Sequence, residues 1–147
     1  MDWRDGVLLL AMTQHIPNFH DGRLTGVSLG EGSAVLNLVK ADGGKYELAL
    51  SGLKALQVSD LKEGNIIDQL EVISMREPDA TVRDEIMQRL FPAPHPSAAE
   101  VYQTKYTTFI AARLSDLSTG AATLIVMTPS YGADLVALCE AVQLVDA

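Results

Sequence analysis

The chain has 147 residues, enough for one domain with a sizeable core, and its apolar share of 48% is ordinary for a globular protein. Nineteen acidic residues against eleven basic ones give a net charge of −8, and no Lys/Arg cluster offsets it. Such a chain repels a phosphate backbone, which argues against nucleic acid and favours a partner with a basic face.

The first segment, "MDWRDGVLLLAM", reads as a helix over residues 2–14. Asp2 and Asp5 stand at its positive end, Trp3, Val7, Leu10 and Ala11 share one face, and Pro17 follows. Its apolar run, Val7 to Met12, is too short and too acidic in its flank for a signal peptide. No stretch approaches the ~20 apolar residues of a membrane span. The expected location is the cytoplasm.

Alternating segments come next. "SAVLNLVK" and "KYELAL" each put apolar residues on one side, and "ADGGK" between them supplies turn residues that tolerate positive φ, so they predict a hairpin. Leu24 is out of phase with Val27 and Leu29, and Gly26 between them is the natural place for a bulge. "LKALQV" and "NIIDQLEVI" add two strands. The pattern predicts a five-stranded meander over about residues 23–74.

The period then changes. Val82, Ile86 and Leu90 recur every four residues, acids precede and enter the segment, Arg89 sits in its last turn and Pro92 closes it, which predicts a helix over 79–91. "PAPHPS" is an extended connector, and Ser97 with Glu100 resembles a capping box for a short helical turn. "KYTTFIAARLSD" and "AATLIVMT" are rich in strand formers, the second apolar on both sides as for a strand covered on both faces. The last segment, 133–146, fits helix or strand. "LSGLKALQVSD" and "VALCEAVQLVD" match at Ala, Gln and Asp in the same phase, which tips it to strand. The expected fold is therefore α+β and mostly β. It has about eight antiparallel strands in two related halves, 19–75 and 105–147, forming a single sheet, a sandwich or a part-closed barrel.

Candidate chemistry is sparse. In "NFHDGRL", His20 and Asp21 are neighbours; in a strand they would point to opposite faces and could not form a relay. His15 and His20 lack metal-ligand spacing, and no G-x-S-x-G occurs. "GEGSAV" leads into a strand, not the helix that a dinucleotide fingerprint requires. His95, between prolines, reads as a solvated loop residue, and Ser130 and Tyr131 as turn residues able to line a pocket. Cys139, the lone cysteine, excludes an internal disulfide, fits a reducing compartment and reads as a small buried hydrophobe. Asp60, Glu63, Asn65 and Asp68 gather acid around one turn without calcium-loop spacing. Asp60, Glu63 and Asp68 form a candidate docking surface for a basic partner. No metal or other cofactor is expected.

On Phe19, His20, Asp21, Leu24, Gly52, Asn65 and Ile66, residues 16 to about 73 resemble a group of small bacterial proteins. That group opens its sheet with F-H-D-x-x-L and enters a later strand through N-x-I. Some of its members are immunity proteins of polymorphic toxin systems. The resemblance implies a non-enzymatic binding domain and supplies no catalytic residues. Two further expectations stand beside it: a small-molecule-binding or hydrolytic domain with a site around His20, Asp21 and a hydroxyl from the second half, and homo-oligomerisation through a free sheet edge.

Overall fold

The computed structural model describes residues 7–9 and 16–147. Among the described residues, nine strands and two helices follow in chain order. The strands are β1 (Val7–Leu9), β2 (Arg23–Gly30), β3 (Ser33–Val39), β4 (Lys45–Ser51), β5 (Ala55–Ser59), β6 (Asn65–Ile73), β7 (Thr123–Tyr131), β8 (Asp134–Cys139) and β9 (Ala141–Asp146). Between β6 and β7 lie the helices α1 (Ala80–Leu90) and α2 (Glu100–Thr119). The fold is α+β and mostly β, and every strand pairing is antiparallel.

All nine strands share one open sheet, in the order β1-β9-β4-β3-β2-β6-β7-β8-β5. The expected five-stranded meander holds only for β2-β3-β4: β5 pairs with β8, and β6 pairs with β2 and β7. The reason is a bend. Gly52, at φ +60°, turns the chain between β4 and β5, and Glu140 turns it between β8 and β9. Lys54 N–H donates to Leu138 O at 2.8 Å and Glu140 N–H to Ser51 O at 3.0 Å, so the two bent runs stay paired through the corner. Strands that change arm at a bend let one sheet wrap around its own core.

The inward faces of β2 through β9 meet in that core, which includes Leu24, Leu36, Leu38, Leu48, Leu50, Ile67, Ile125, Met127, Leu135, Val142 and Leu144. Cys139 is buried with them. A second cluster lies on the outer face of β7 and β8, where Leu124, Val136 and Leu138 pack against Ile86 and Leu90 of α1 and Leu117 of α2. "AATLIVMT" is thus covered on both faces. Gly26 marks a register shift between β2 and β3, as its phase slip predicts.

Several expectations are corrected. Within the predicted 2–14 helix, Val7–Leu9 form a strand along β9, where an open ladder satisfies the backbone better than a short isolated helix would; the rest of that segment lies outside the described residues. The predicted strand "KYTTFIAARLSD" belongs to α2, a helix of 20 residues rather than a short turn. Its β-branched and aromatic residues are overruled by spacing: Tyr106, Ile110, Leu114 and Leu117 share a helical side, and Gly120 ends the helix at φ +82°. Strand structure after the helices therefore starts at Thr123, not at 105. Ala99 is the N-cap, without a side-chain cap hydrogen bond, in place of the Ser97–Glu100 box. On α1 the buried residues are Ile86, Met87 and Leu90, while Val82 is exposed. The 133–146 segment is strand, broken in two at Glu140.

Arg89 does more than meet the helix dipole. Its Nε and Nη2 donate to Gln57 Oε1 at 2.9 and 2.6 Å, and its Nη1 to Asp134 Oδ1 at 2.9 Å, clamping α1 across β5 and β8. Only an arginine fork reaches both acceptors at once. At the far end of the connector, Tyr106 donates to Phe91 O at 2.7 Å and the Phe91 and Phe109 rings meet edge to face at 5.0 Å.

Candidate functional site

Asn18 to Gly22 form a tight corner before β2. His20 N–H donates to Asn18 Oδ1 at 2.9 Å, Asp21 takes φ +63°, and Gly22 N–H donates to Phe19 O at 2.8 Å. Gly22 is required by space: a Cβ there would meet Val39 O at 2.5 Å. Phe19 is buried and meets the Tyr46 ring edge to face at 5.5 Å. The corner is fastened to β6 by Asp21 N–H to Ile67 O and Ile67 N–H to Gly22 O, both 2.9 Å.

Because this stretch is a turn and not a strand, the expectation that His20 and Asp21 diverge is corrected. His20 Nε2 lies 3.6 Å from Asp21 Oδ2, and Nδ1 lies 2.9 Å from Asp68 O and 3.4 Å from Asp68 Oδ1. A bulge explains why the Asp68 carbonyl is within reach. Opposite Pro129, which has no N–H to give, the β6–β7 register skips Asp68, passing from Ile67 to Gln69. A carbonyl only accepts, so Nδ1 carries a proton, and the carboxylate at Nε2 favours a second one. His20 is accordingly held above its ordinary value of 6.5, first by the Asp68 carbonyl and then by the Asp21 charge. The ring is half exposed. It walls a cleft of about 520 Å³ that Ile16, Asn18, Asp68, Leu70 and Glu71 also line.

Asn65 organises the neighbouring face. Its buried carboxamide makes four hydrogen bonds: Nδ2 donates to Leu24 O (3.2 Å) and Lys62 O (2.6 Å), and Oδ1 accepts from Lys62 N–H (2.8 Å) and Ala133 N–H (2.9 Å). One side chain thus ties β2, the 60–64 loop and the turn after β7. Gly132, at φ +85°, lies so close that a Cβ would meet Asn65 Oδ1 at 2.5 Å. Around this hub stand exposed apolar side chains: Leu61 on the loop, and Ile66 with its cross-strand partner Tyr131.

The acidic candidates divide. Asp60, at φ +57°, and Glu63 lie exposed on the loop next to Leu61, whereas Asp68 sits along β6 beside His20. His95 is exposed and its Nδ1 accepts from Ser97 N–H at 3.1 Å, within its own turn. Burial pushes the Cys139 thiol up to about 12. Among the described residues no cluster of three His, Cys, Asp or Glu could hold a metal ion, and no helix is long and apolar enough to cross a membrane. Sequence reading singled out Asn65, both in the acidic turn and by resemblance, but missed Leu61, whose only signal was an apolar residue inside a polar turn.

Compared with family models, curated proteins and solved structures, the chain matches none.

Proposed function

We propose that this chain is a non-enzymatic protein-binding domain of the bacterial immunity-like kind, acting in the cytoplasm on a partner with a basic face. The observation that carries the reading is the Asn65 hub, which sets exposed Leu61, Ile66 and Tyr131 beside Asp60 and Glu63. Apolar and aromatic anchors with a charged rim are the usual anatomy of a protein interface, and an acidic rim steers a basic partner.

Affinity capture from source-cell lysate tests it. One basic protein should be retained in stoichiometric amount by the native chain and lost from a folded L61K/Y131A variant. A blank from folded native bait would overturn the reading.

One observation favours a second reading, a small-molecule or hydrolytic site: the cleft walled by His20. Among the described residues, however, the ring's partners are oxygens of Asp68 and Asp21, and no hydroxyl or thiol is among them. A metabolite thermal-shift screen on native protein and His20→Ala separates the two readings. A ligand that stabilises only the native chain would favour the cleft.

A further inference from the structure

β2 has one bare edge. It pairs with β3 along its whole length, from Arg23 to Gly30, but with β6 only at Arg23 and Leu24. From Thr25 onward no described strand lies on that side. In an antiparallel pair, the residues before Asn65 would run alongside those after Leu24, but there the chain leaves the ladder for the 60–64 loop. It cannot continue it, because the N–H and C=O of Lys62 are both taken by the Asn65 carboxamide. The same side chain that fastens the loop leaves the edge open.

Edge strands are normally guarded by a charge, a proline or a covering segment. β6 beyond its seam has the 18–22 corner across it, fastened at Ile67. The stretch "TGVSLG" of β2 has neither a charge nor a proline. Leu29 is 71% exposed although its cross-strand neighbour Ala34 is buried, and Leu61 on the adjoining loop is 57% exposed. Acidic residues stand at both ends of this edge: Glu31 at the hairpin tip after Gly30, and Asp60 and Glu63 on the loop that joins the seam, all exposed. A second copy of the chain, with net charge −8, would bring the same acids against them.

We propose that the β2 edge, Thr25–Gly30, receives an extended segment of a partner protein as an added strand. Its apolar side chains rest on Leu29 and Leu61, and its lysines or arginines face Glu31, Asp60 and Glu63. This inference rests on the protein-binding reading above and names its mode: backbone pairing supplies grip, and the flanking charges supply selectivity.

The test uses the full ¹⁵N-labelled chain and three synthetic eight-residue peptides. One alternates Leu with Lys, one alternates Leu with Glu, and one is the Leu/Lys peptide N-methylated along one backbone edge. The Leu/Lys peptide should slow exchange of the outward amides of Thr25–Gly30 at least about tenfold. The Leu/Glu and N-methylated peptides should not. Leu29→Lys, at an exposed site, should keep the native melting temperature and weaken the Leu/Lys peptide by about tenfold or more. Unchanged exchange in β2, equal protection by the Leu/Glu peptide, or sedimentation showing a self-associated chain dispersed by Leu29→Lys would each overturn the proposal. If the captured partner still depends on Tyr131 but binds the Leu29→Lys variant fully, only the edge proposal falls; a blank capture removes the wider reading.

Discussion

The carboxamide oxygen of Asn65 accepts a hydrogen bond from the amide of Ala133 at 2.9 Å, joining residues 68 positions apart. With its other three bonds it holds the narrow β2–β6 seam, where only Arg23 and Leu24 find ladder partners. Asn65→Ala should therefore destabilise the chain by ~2–4 kcal/mol, since buried partners lose their bonds at about 1 kcal/mol each, more where one is left unsatisfied. Urea unfolding gives the number. Amide exchange should rise first at Leu24, Lys62 and Ala133, and a uniform rise across the sheet would contradict the hub role.

His20 supplies a pH dependence with a defined sign. Its folded value lies above the ordinary 6.5. Its contribution is then fully present below the unfolded value and is lost as pH rises through the folded one. Protection of the Asp21 and Ile67 amides should begin to fall near pH 6.5 and level off above the raised value. An NMR titration should place the His20 midpoint above 6.5, and closer to it in Asp21→Asn. A midpoint at or below 6.5 would refute the acceptor-only surroundings of the ring.

What the sequence revealed is what short range decides. The β3–β4 hairpin was legible because "ADGG" supplies its turn, and the β2 bulge because Gly26 interrupts a phase. Strand order was not legible, since the β4–β9 ladder joins residues 90 to 100 positions apart and the β5–β8 ladder residues 75 to 83 apart, and nothing local announces the corner at Gly52. α2 was misread because Thr107, Thr108, Phe109 and Ile110 favour strands, while the helix is set by spacing and by packing of Leu117. The site was half legible. Phe19, His20, Asp21 and Asn65 could be picked out, but a His–Asp contact depends on Asp21 at φ +63°, and a carboxamide hub depends on three segments meeting.

Arg89→Lys should destabilise the chain by about 1–2 kcal/mol, because an ammonium cannot reach Gln57 and Asp134 together as the guanidinium does. The loss should appear as faster amide exchange in α1 while β2–β4 keep their protection. Equal stability of the lysine variant by chemical denaturation would show that charge alone suffices.

Cys139 should be silent. The thiol is buried and held at about 12, so almost no thiolate exists at pH 8. A chromogenic disulfide reagent should label the native chain only at the rate of unfolding and label it at once in denaturant. Fast native labelling would mean that β8 opens without global unfolding.

The corner itself can be dissected by a double-mutant cycle. Gly52 sits at φ +60°, and a Cβ there would run into the Glu140 side chain. Gly52→Ala faces two costs: the left-handed backbone, about 1–2 kcal/mol for a residue with a Cβ, and the collision. Glu140→Ala removes only the collision, at an exposed side chain whose ion pair with Lys54 spans 3.8 Å and contributes little. Gly52→Ala should therefore cost less in the Glu140→Ala background than in the native one, yet still about 1–2 kcal/mol. If the alanine becomes neutral there, crowding by Glu140 alone demands the glycine. If its cost does not change, backbone conformation alone does, and the glutamate is a bystander at the bend.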